Sequence, residues 1–376
     1  MNDGVKVLIC SFLRHFLLFL GVMLPLLISY GFQESEYFLF TSIFILSMSL
    51  FELPTGFFSD KYGAKTSILI SSILFIVGTL IILIDKTFIS FVVFNILYGM
   101  SYAFLAGSDM AILLDTNLDK PVRKNILAGN LGKFLGAIVS GVSISSGITY
   151  EELIVGQLVL SIIYFLVALS IKYKNGHHHF DIEKLEFREL INDVLHDKEK
   201  CRIFLSLAIS VITFLVFTGS FQPILKLYQF KPASFAFIIG GFNLLQVMIS
   251  LIGHHFKKIN LILMTLGVFL CLIALLLFKN LTVLFLSIGF ILIIRSIFFY
   301  RLELFVGNFH KSHIATYNSI FNFLITISFA IESYIMSVLT KFYTLENSLF
   351  IIICGISVIY FLLMKRVQKI PKKIKI

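Results

Sequence analysis

Between two long apolar runs, the sequence reads Gly56-Phe57-Phe58-Ser59-Asp60-Lys61-Tyr62-Gly63-Ala64-Lys65-Thr66. In these eleven residues, two lysines, an aspartate and two glycines interrupt a sequence that is otherwise hydrocarbon-like. Cationic side chains stay in water or among lipid headgroups, whereas the apolar helices on either side stay in lipid. The stretch therefore predicts a tight loop at a membrane face, with a spanning helix before it and another after it.

The composition of the whole chain indicates a polytopic membrane protein. Of the 376 residues, 58% are hydrophobic and 14% are charged, and the mean hydropathy is +0.96. A soluble domain has about 25% charged residues, so a soluble multidomain protein is excluded. The apolar run after Lys6 is too long for the core of a cleaved signal peptide and lacks a small-residue cleavage site, so we expect the first helix to remain.

The apolar runs are long enough to be membrane spans, which need about 20 mainly apolar residues. They form two sets of six, separated by one long polar stretch. The predicted spans are residues 7–30, 37–58, 67–84, 88–113, 126–148 and 152–173 in the first set, and 202–225, 233–253, 260–278, 281–305, 313–339 and 345–364 in the second. The predicted fold class is an all-α membrane protein of 12 transmembrane helices in two six-helix halves.

The same pattern gives the domain boundaries. We expect a first half at residues 1–173, a cytoplasmic linker at 174–200, a second half at 201–364 and a basic cytoplasmic tail at 365–376. Apolar residues recur at near-helical spacing in the linker, which predicts an amphipathic helix along the membrane face. The histidine triplet at residues 177–179 is interpreted as solvated linker.

Lysine and arginine predict the orientation, because they accumulate in cytoplasmic loops. Of the 31 Lys and Arg residues, 22 fall on the side of both termini and the linker, 5 on the opposite side and 4 within predicted helices. The bias predicts a multi-pass protein of the cell membrane with both termini in the cytoplasm.

The quoted loop resembles the loop between helices 2 and 3 of the major facilitator superfamily, a large family of secondary transporters. The resemblance rests on the pattern Gly-x-x-x-Asp-Lys-x-Gly-x-Lys and on the preceding Glu52-Leu53-Pro54-Thr55-Gly56. It implies alternating access, in which two halves rock around a site near the membrane midplane. It also implies a conformational latch of the outward-open state, made by Gly56, Asp60, Lys61, Gly63 and Lys65.

Within this latch, the resemblance makes Asp60 the pairing residue and places Lys61 and Lys65 at the headgroups. Gly56 and Gly63 are expected to permit close helix contact and the turn. The alternative is a loop whose charges only set the topology, although topology needs neither the aspartate nor two glycines at set spacing.

Helix 4 ends in Ala106-Gly107-Ser108-Asp109-Met110-Ala111-Ile112-Leu113-Leu114-Asp115, close to a pattern found in bacterial members of the superfamily. A carboxylate within the membrane is costly unless it is paired or used, so Asp109 is a candidate for proton coupling. At 1.5 Å per residue, Asp109, Lys133 and Arg14 all lie about 10 Å inside the cytoplasmic face. We expect them to form a buried cluster; a static ion pair that only fixes helix packing is the alternative. The full set of coupling and proton candidates is Arg14, Glu52, Asp109, Asp115, Lys133 and Glu332.

Helix 5 contains Gly132-Lys133-Phe134-Leu135-Gly136-Ala137-Ile138-Val139-Ser140-Gly141. This run resembles the antiporter motif Gly-x-x-x-Gly-Pro-x-x-Gly-Gly, with Ala137 in place of the proline and Ser140 in place of the first paired glycine. The resemblance favours the drug and metabolite exporter branch. Gly132, Gly136 and Gly141 also suit a generic face for close helix packing, which is the alternative.

The second half supplies candidates for substrate contact. Arg295 lies near the membrane midplane, where a lone cation needs a partner or an aqueous cavity. Asn318 and Asn322 lie one turn apart on a single helix face. With Gln246, these three residues are the substrate candidates.

Several other classes of chemistry find no support in the sequence. The four cysteines lie far apart, which suggests neither a disulfide framework nor a metal site. No phosphate-binding glycine loop precedes a Lys-Ser/Thr pair, so ATP hydrolysis is not encoded. We therefore expect no enzyme activity, no metal and no cofactor, with a proton gradient as the energy source. The expected partners are a small-molecule or peptide substrate and the lipid bilayer, with no nucleic acid and with a monomeric protein.

These observations together predict a secondary transporter that exports a lipophilic small molecule or peptide by proton coupling. One alternative is an importer of a polar or anionic solute, with Arg14, Lys133 and Arg295 around a positive cavity. Another is a membrane binding or immunity protein that transports nothing.

The cation bias generates a topology prediction. In a chain whose four native cysteines are replaced by serine, Gly176→Cys should react with a membrane-impermeant maleimide only after the cells are permeabilised. Lys86→Cys, in a predicted external loop, is the matched control and should react in intact cells. Labelling of Gly176→Cys in intact cells would contradict the predicted orientation.

Overall fold

The computed structural model describes residues 2–116, 118–119, 121–173, 215–216, 218–252 and 314–368, with single residues and short runs between 267 and 293. The side chains of residues 53, 60, 122, 249–252, 314–322, 324, 360–361 and 363–368 lie outside the description. The regular structure in the described part is helical. Its α-helices are α1 Asp3–His15, α2 Met23–Ser29, α3 Glu34–Tyr62, α4 Ala64–Ile84, α5 Phe88–Leu105, α6 Ser108–Asp115, α7 Pro121–Ser145, α8 Tyr150–Ser170, α9 Phe221–Leu227, α10 Pro232–Ile252, α11 Ile314–Phe342 and α12 Leu345–Gln368.

Six stretches of the described chain are long and apolar enough to cross a membrane. They are Asp3–Ser29, Ala64–Ile84, Phe88–Asp115, Arg123–Ser145, Tyr150–Ser170 and Ile325–Phe342. Contacts divide the chain into two compact units. The first comprises Met1–Gly176, Phe221–Met248 and Ser333–Val338, and the second comprises His177–Ser220, Ile249–Glu332 and Leu339–Ile376.

The predicted loop after the second span is reduced to a turn of one residue. Helix α3 continues to Tyr62, and α4 begins at Ala64. Gly63 between them has φ of 99°, a left-handed conformation that glycine adopts at little cost. The Gly63 N–H donates to Ser59 O (2.8 Å), which ends α3.

Two predicted spans are interrupted. The span predicted at residues 7–30 is α1 and α2, joined by a short 3₁₀ turn at Leu20–Val22. Pro25 explains part of this break, because it has no N–H and its ring clashes with the carbonyl of Gly21, four residues earlier. The span predicted at 88–113 is α5 and α6, which meet at Gly107 with φ of 82°.

Small residues bring the helices of the first unit close together. A Cβ at Gly132 would collide with Phe12 O, and a Cβ at Gly136 would lie 2.7 Å from Leu17 N, so α7 packs directly on the backbone of the first span. A Cβ at Gly99 would lie 2.5 Å from Phe44 O, which sets α5 against α3. Such close approach favours dispersion contacts between helices in lipid.

Buried hydroxyl groups link helices α4, α5 and α8 of this unit. Ser71 Oγ on α4 donates to Ser101 O on α5 (2.7 Å), and Ser101 Oγ donates to Ser71 O (2.7 Å). The Tyr164 hydroxyl on α8 donates to Ser71 Oγ (3.2 Å). These bonds fix α4, α5 and α8 to one another.

Helices α9 and α10 pack within the first unit. A Cβ at Gly21 would lie 3.1 Å from the Ala236 Cα, and one at Gly240 would lie 2.9 Å from Ile138 Cδ1. A Cβ at Gly141 would meet the Phe237 ring at 3.0 Å. In the second unit, a Cβ at Gly219 would lie 2.9 Å from the Phe329 ring.

The contact between α7 and the backbone of the first span generates a stability prediction. Gly136→Val should lower the free energy of unfolding by about 1–3 kcal/mol, because the obstructing atoms belong to the backbone and overpacking forces it to shift. Gly241→Ala on α10 is the control, since its Cβ would meet no atom of the described residues within 4 Å. Thermal unfolding of the detergent-purified protein measures both. Equal melting temperatures for the two variants would show that α7 and the first span do not approach this closely at Leu17.

Candidate functional site

Arg14, near the end of α1, is enclosed by aromatic rings. Its side chain is fully buried, and its guanidinium carbon lies 3.7 Å from the ring centroid of Tyr102, 4.4 Å from that of Phe75 and 4.5 Å from that of Tyr98. Aromatic faces attract a cation through their quadrupole, and this attraction is stronger when water is excluded. The Nη2 group also donates a hydrogen bond to Tyr98 O (3.3 Å).

The predicted cluster of Arg14, Asp109 and Lys133 is not formed. Among the described residues, no carboxylate lies within ion-pair distance of Arg14, and its Nε and Nη1 groups have no hydrogen-bond partner there. The rings of α4 and α5 occupy the space around the guanidinium that a carboxylate would need. In the part of the chain that the structure describes, Arg14 is therefore compensated by π faces and one carbonyl and not by a counter-ion.

Asp109 is held by an amide and by its own helix. It lies in the first turn of α6, directly after the turn at Gly107, and it is 7% exposed. Its Oδ1 accepts from the Met110 N–H (2.8 Å), and its Oδ2 accepts from Nδ2 of Asn125 on α7 (2.6 Å). An acid at this position is stabilised by the partial positive charge of a helix N-terminus.

Asp109 meets Asn125 and not Lys133 because α7 begins earlier than the sequence predicts. The predicted fifth span begins at residue 126, whereas α7 begins at Pro121. The residue of α7 that meets Asp109 is Asn125, and Lys133 lies eight residues further along, or about 12 Å at 1.5 Å per residue. Lys133 is half-buried and does not contact the Asp109 carboxylate.

The other carboxylates of the predicted set lie in three different environments. Asp115 is exposed at the end of α6 and accepts a hydrogen bond from the Tyr173 hydroxyl. Glu52 is half-buried on α3, and its backbone carbonyl accepts a hydrogen bond from the Thr55 hydroxyl (3.1 Å). Glu332 on α11 is 7% exposed, and its buried Oε2 has no hydrogen-bond partner among the described residues.

The predicted latch is described in part. The side chain of Asp60 lies outside the described residues. Lys61 is exposed, with its Nζ 5.1 Å from the Tyr62 ring centroid, and Lys65 is half-buried. Gly63 makes the turn, but a Cβ at Gly56 would meet no atom of the described residues within 4 Å, so the close helix contact expected there is not formed with that part of the chain. Gly56 lies on an exposed side of α3, which explains the open space.

The substrate candidates are placed only in part. Gln246 is half-buried on α10. Asn318 and Asn322 belong to α11, but their side chains lie outside the description, as does the whole of Arg295.

Two glutamines that we did not single out in the sequence hold the interrupted first span. Leu18 N–H donates to Gln157 Oε1 (2.7 Å), and Gln157 Nε2 donates to Phe16 O (3.4 Å). Leu24 N–H donates to Gln222 Oε1 (2.7 Å), and Gln222 Nε2 donates to Leu20 O (2.7 Å). An amide inside an apolar run, together with Gly21 and Pro25 in the first span, is the sequence signal that could have revealed them.

Comparison with known proteins gives two consistent results. A family model described as "Major Facilitator Superfamily" matches residues 7–331. The fold is similar to that of the nucleoside transporter NupG, with a TM-score of 0.76 at 14% identity over 98% of this chain and 100% of that one. It is also similar to the D-xylose-proton symporter, with a TM-score of 0.75 at 12% identity over 98% and 99% of the two chains.

The structure of a peptide transporter, POT, is similar too, with a TM-score of 0.72 at 14% identity over 98% of this chain and 95% of that one. Curated protein sequences yield no significant match. At these identities the structural likenesses establish the fold alone. The family model covers most of the sequence and confirms the predicted fold class. The chain therefore belongs to the Major Facilitator Superfamily, whose members are multi-pass secondary transporters and not enzymes.

Proposed function

We propose that this protein is a proton-coupled exporter of lipophilic small molecules or peptides. The observation that carries the proton coupling is the carboxyl group of Glu332. It is buried in a helix that can span the membrane, and its Oε2 has no hydrogen-bond partner among the described residues. A carboxyl group at membrane depth without a counter-charge costs least as the neutral acid. It can therefore take up a proton when buried and release it when water reaches it.

Asp109 is a second candidate for proton coupling, and its carboxylate has an amide as its partner. Asn125 Nδ2 donates to the Asp109 carboxylate, and the Oδ1 of Asn125 is buried without a hydrogen-bond partner among the described residues. If the amide of Asn125 turns over, this Oδ1 can accept a hydrogen bond from the protonated acid. The amide can therefore donate to the Asp109 carboxylate or accept from the protonated acid, whereas a lysine ammonium group can only donate.

The environment of Arg14 argues against the importer of anionic solutes. In that alternative, Arg14 would offer its charge to a substrate in a positive cavity. Its side chain is instead fully buried against three rings. The small-residue run on α7, which resembles an antiporter motif and packs on the first span, supports export.

The remaining roles complete the proposal. Asp60 acts as the conformational latch, with Lys61 and Lys65 at the headgroups, while Arg295, Asn318, Asn322 and Gln246 contact the substrate. The protein works as a monomer with both termini in the cytoplasm. Among the similar structures are a nucleoside transporter, a peptide transporter and a D-xylose-proton symporter, whose direction and substrates are not carried over at 12–14% identity.

The proton sites can be tested in everted membrane vesicles with a panel of lipophilic dyes and hydrophobic peptides. Glu332→Gln and Asp109→Asn should each reduce accumulation driven by a pH gradient at least tenfold, while substrate exchange without a gradient continues. Asp109→Asn can keep both hydrogen bonds if Asn125 turns over, so it removes the charge and leaves the packing.

Asp119→Asn is the control for this experiment, because Asp119 is an exposed carboxylate in a loop between α6 and α7. If both candidate variants concentrate substrate as well as the control does, proton coupling through these carboxyl groups is wrong. If exchange is lost together with accumulation, the variants act on substrate binding instead of coupling.

The latch proposal gives a separate test. Asp60→Asn should reduce transport at least tenfold while membrane insertion and the size-exclusion profile stay unchanged. Loss of a coupling interaction of about 1–3 kcal/mol between conformational states accounts for such a change. The transport rate per folded molecule, compared with that of Asp119→Asn, is the measurement. A wild-type rate for Asp60→Asn would remove the latch role.

A further inference from the structure

The backbone of the first span has polar groups that its own helices do not satisfy. Residues between the end of α1 at His15 and the start of α2 at Met23 do not continue an α-helix. In an apolar environment each free N–H and C=O needs another partner, because no water is present to replace the helical bond. The structure supplies these partners from two other helices.

The two partners are carboxamides used in the same way. Each glutamine accepts from one backbone N–H of the first span with its Oε1 and donates to one backbone carbonyl with its Nε2. Gln157 is fully buried, and Gln222 is 5% exposed. Only a side chain that has both a donor and an acceptor can satisfy both backbone groups.

The two glutamines differ in where they come from. Gln157 lies on α8, which belongs to the predicted first half together with the span that it holds. Gln222 lies on α9, after the predicted linker, and therefore belongs to the predicted second half. Its bonds to Leu20 and Leu24 join the two predicted halves within the first compact unit.

Helices α9 and α10 make further contacts near the break in the first span. Lys226 in the last turn of α9 forms an ion pair with Glu34 in the first turn of α3 (2.7 Å). Ala236 of α10 lies against Gly21 in the break. The predicted topology places the loop between α2 and α3 outside the cell, so these contacts lie towards the outer side of the membrane.

We infer that Gln222 is a releasable clasp on the interrupted first span, and that its two hydrogen bonds hold the outer side of the transporter closed. Gln157 is the permanent counterpart, which keeps its bonds in every state. The inference rests on the proposed alternating access, because α9 must move away from α2 when the outer side opens. Leu20 O and Leu24 N–H then need water or substrate as new partners, so opening requires that water reaches the break.

The test measures the distance between spin labels at two outer positions in the full-length protein in nanodiscs. Ile148→Cys in the loop after α7 and Lys231→Cys in the loop after α9 are both exposed sites. With Gln222 intact, we expect mainly the short distance. Gln222→Ala should raise the ratio of long to short distances at least tenfold, because the closed state loses both hydrogen bonds.

A second variant tests the clasp without removing the side chain. Gln222→Glu keeps the shape of the glutamine. As the neutral acid it can accept from Leu24 N–H and donate to Leu20 O, so the short distance should dominate at low pH. As the carboxylate it has no proton for Leu20 O, so the long distance should grow as the pH rises. Lys226, in the last turn of α9, and its ion-pair partner Glu34 on α3 are the same in all variants.

Two controls separate the clasp from general destabilisation. Gln157→Ala should lower the melting temperature and leave the distance distribution unchanged, because α8 does not move relative to the first span. Gln33→Ala should change neither quantity by a comparable amount, since Gln33 caps α3 at an exposed position.

The inference is overturned if Gln222→Ala leaves the distances as they are, or if Gln157→Ala shifts them equally. It is also overturned if Gln222→Glu shows the same distances at all pH values. The result is independent of the coupling test, since opening in Gln222→Ala would stand even if Glu332 and Asp109 carried no proton.

Discussion

The satisfaction of backbone hydrogen bonds inside apolar surroundings is the constraint on which the rest of this structure depends. Continuous helices such as α4 and α8 meet it alone. The first span does not, because Pro25 and Gly21 accompany a break between His15 and Met23. Buried amides from α8 and α9 replace the missing bonds. The position of two other helices is thereby tied to one irregular segment.

Two charged side chains within the spans, like the free backbone groups, are stabilised by neutral partners. Arg14 faces three aromatic rings and one carbonyl, and Asp109 faces one amide and a helix N-terminus. A buried ion pair would hold two helices together and would lose much energy on separation. Neutral partners let a carboxyl group change its protonation state without leaving an opposite charge uncompensated.

The sequence alone was sufficient for the fold class, because span length and cation bias depend on composition along the chain. It also placed the turn at Gly63. It did not reveal the break near Gly21, since apolar residues continue through it, or the break at Gly107, where Gly107-Ser108-Asp109 interrupts the apolar run only briefly. The expected contact of Asp109 with Lys133 failed because depth along a helix requires its first residue, and α7 begins five residues earlier than predicted. Gln157 and Gln222 were overlooked because their partners are backbone atoms, so the only sequence signal for them is an amide inside an apolar run together with Gly21 and Pro25 in the first span.

The distance along the chain between Gln222 and its partner Leu24 is 198 residues, which has a consequence for biogenesis. Ribosomes add about 5–20 residues per second, so roughly 10–40 s pass between synthesis of the first span and synthesis of the helix that completes it. During that interval Leu20 O and Leu24 N–H must form hydrogen bonds with lipid headgroups, with water or with the insertion machinery. The first span therefore reaches its final conformation late, although it is the first to enter the membrane, and a chain that is truncated before α9 would leave this segment incomplete.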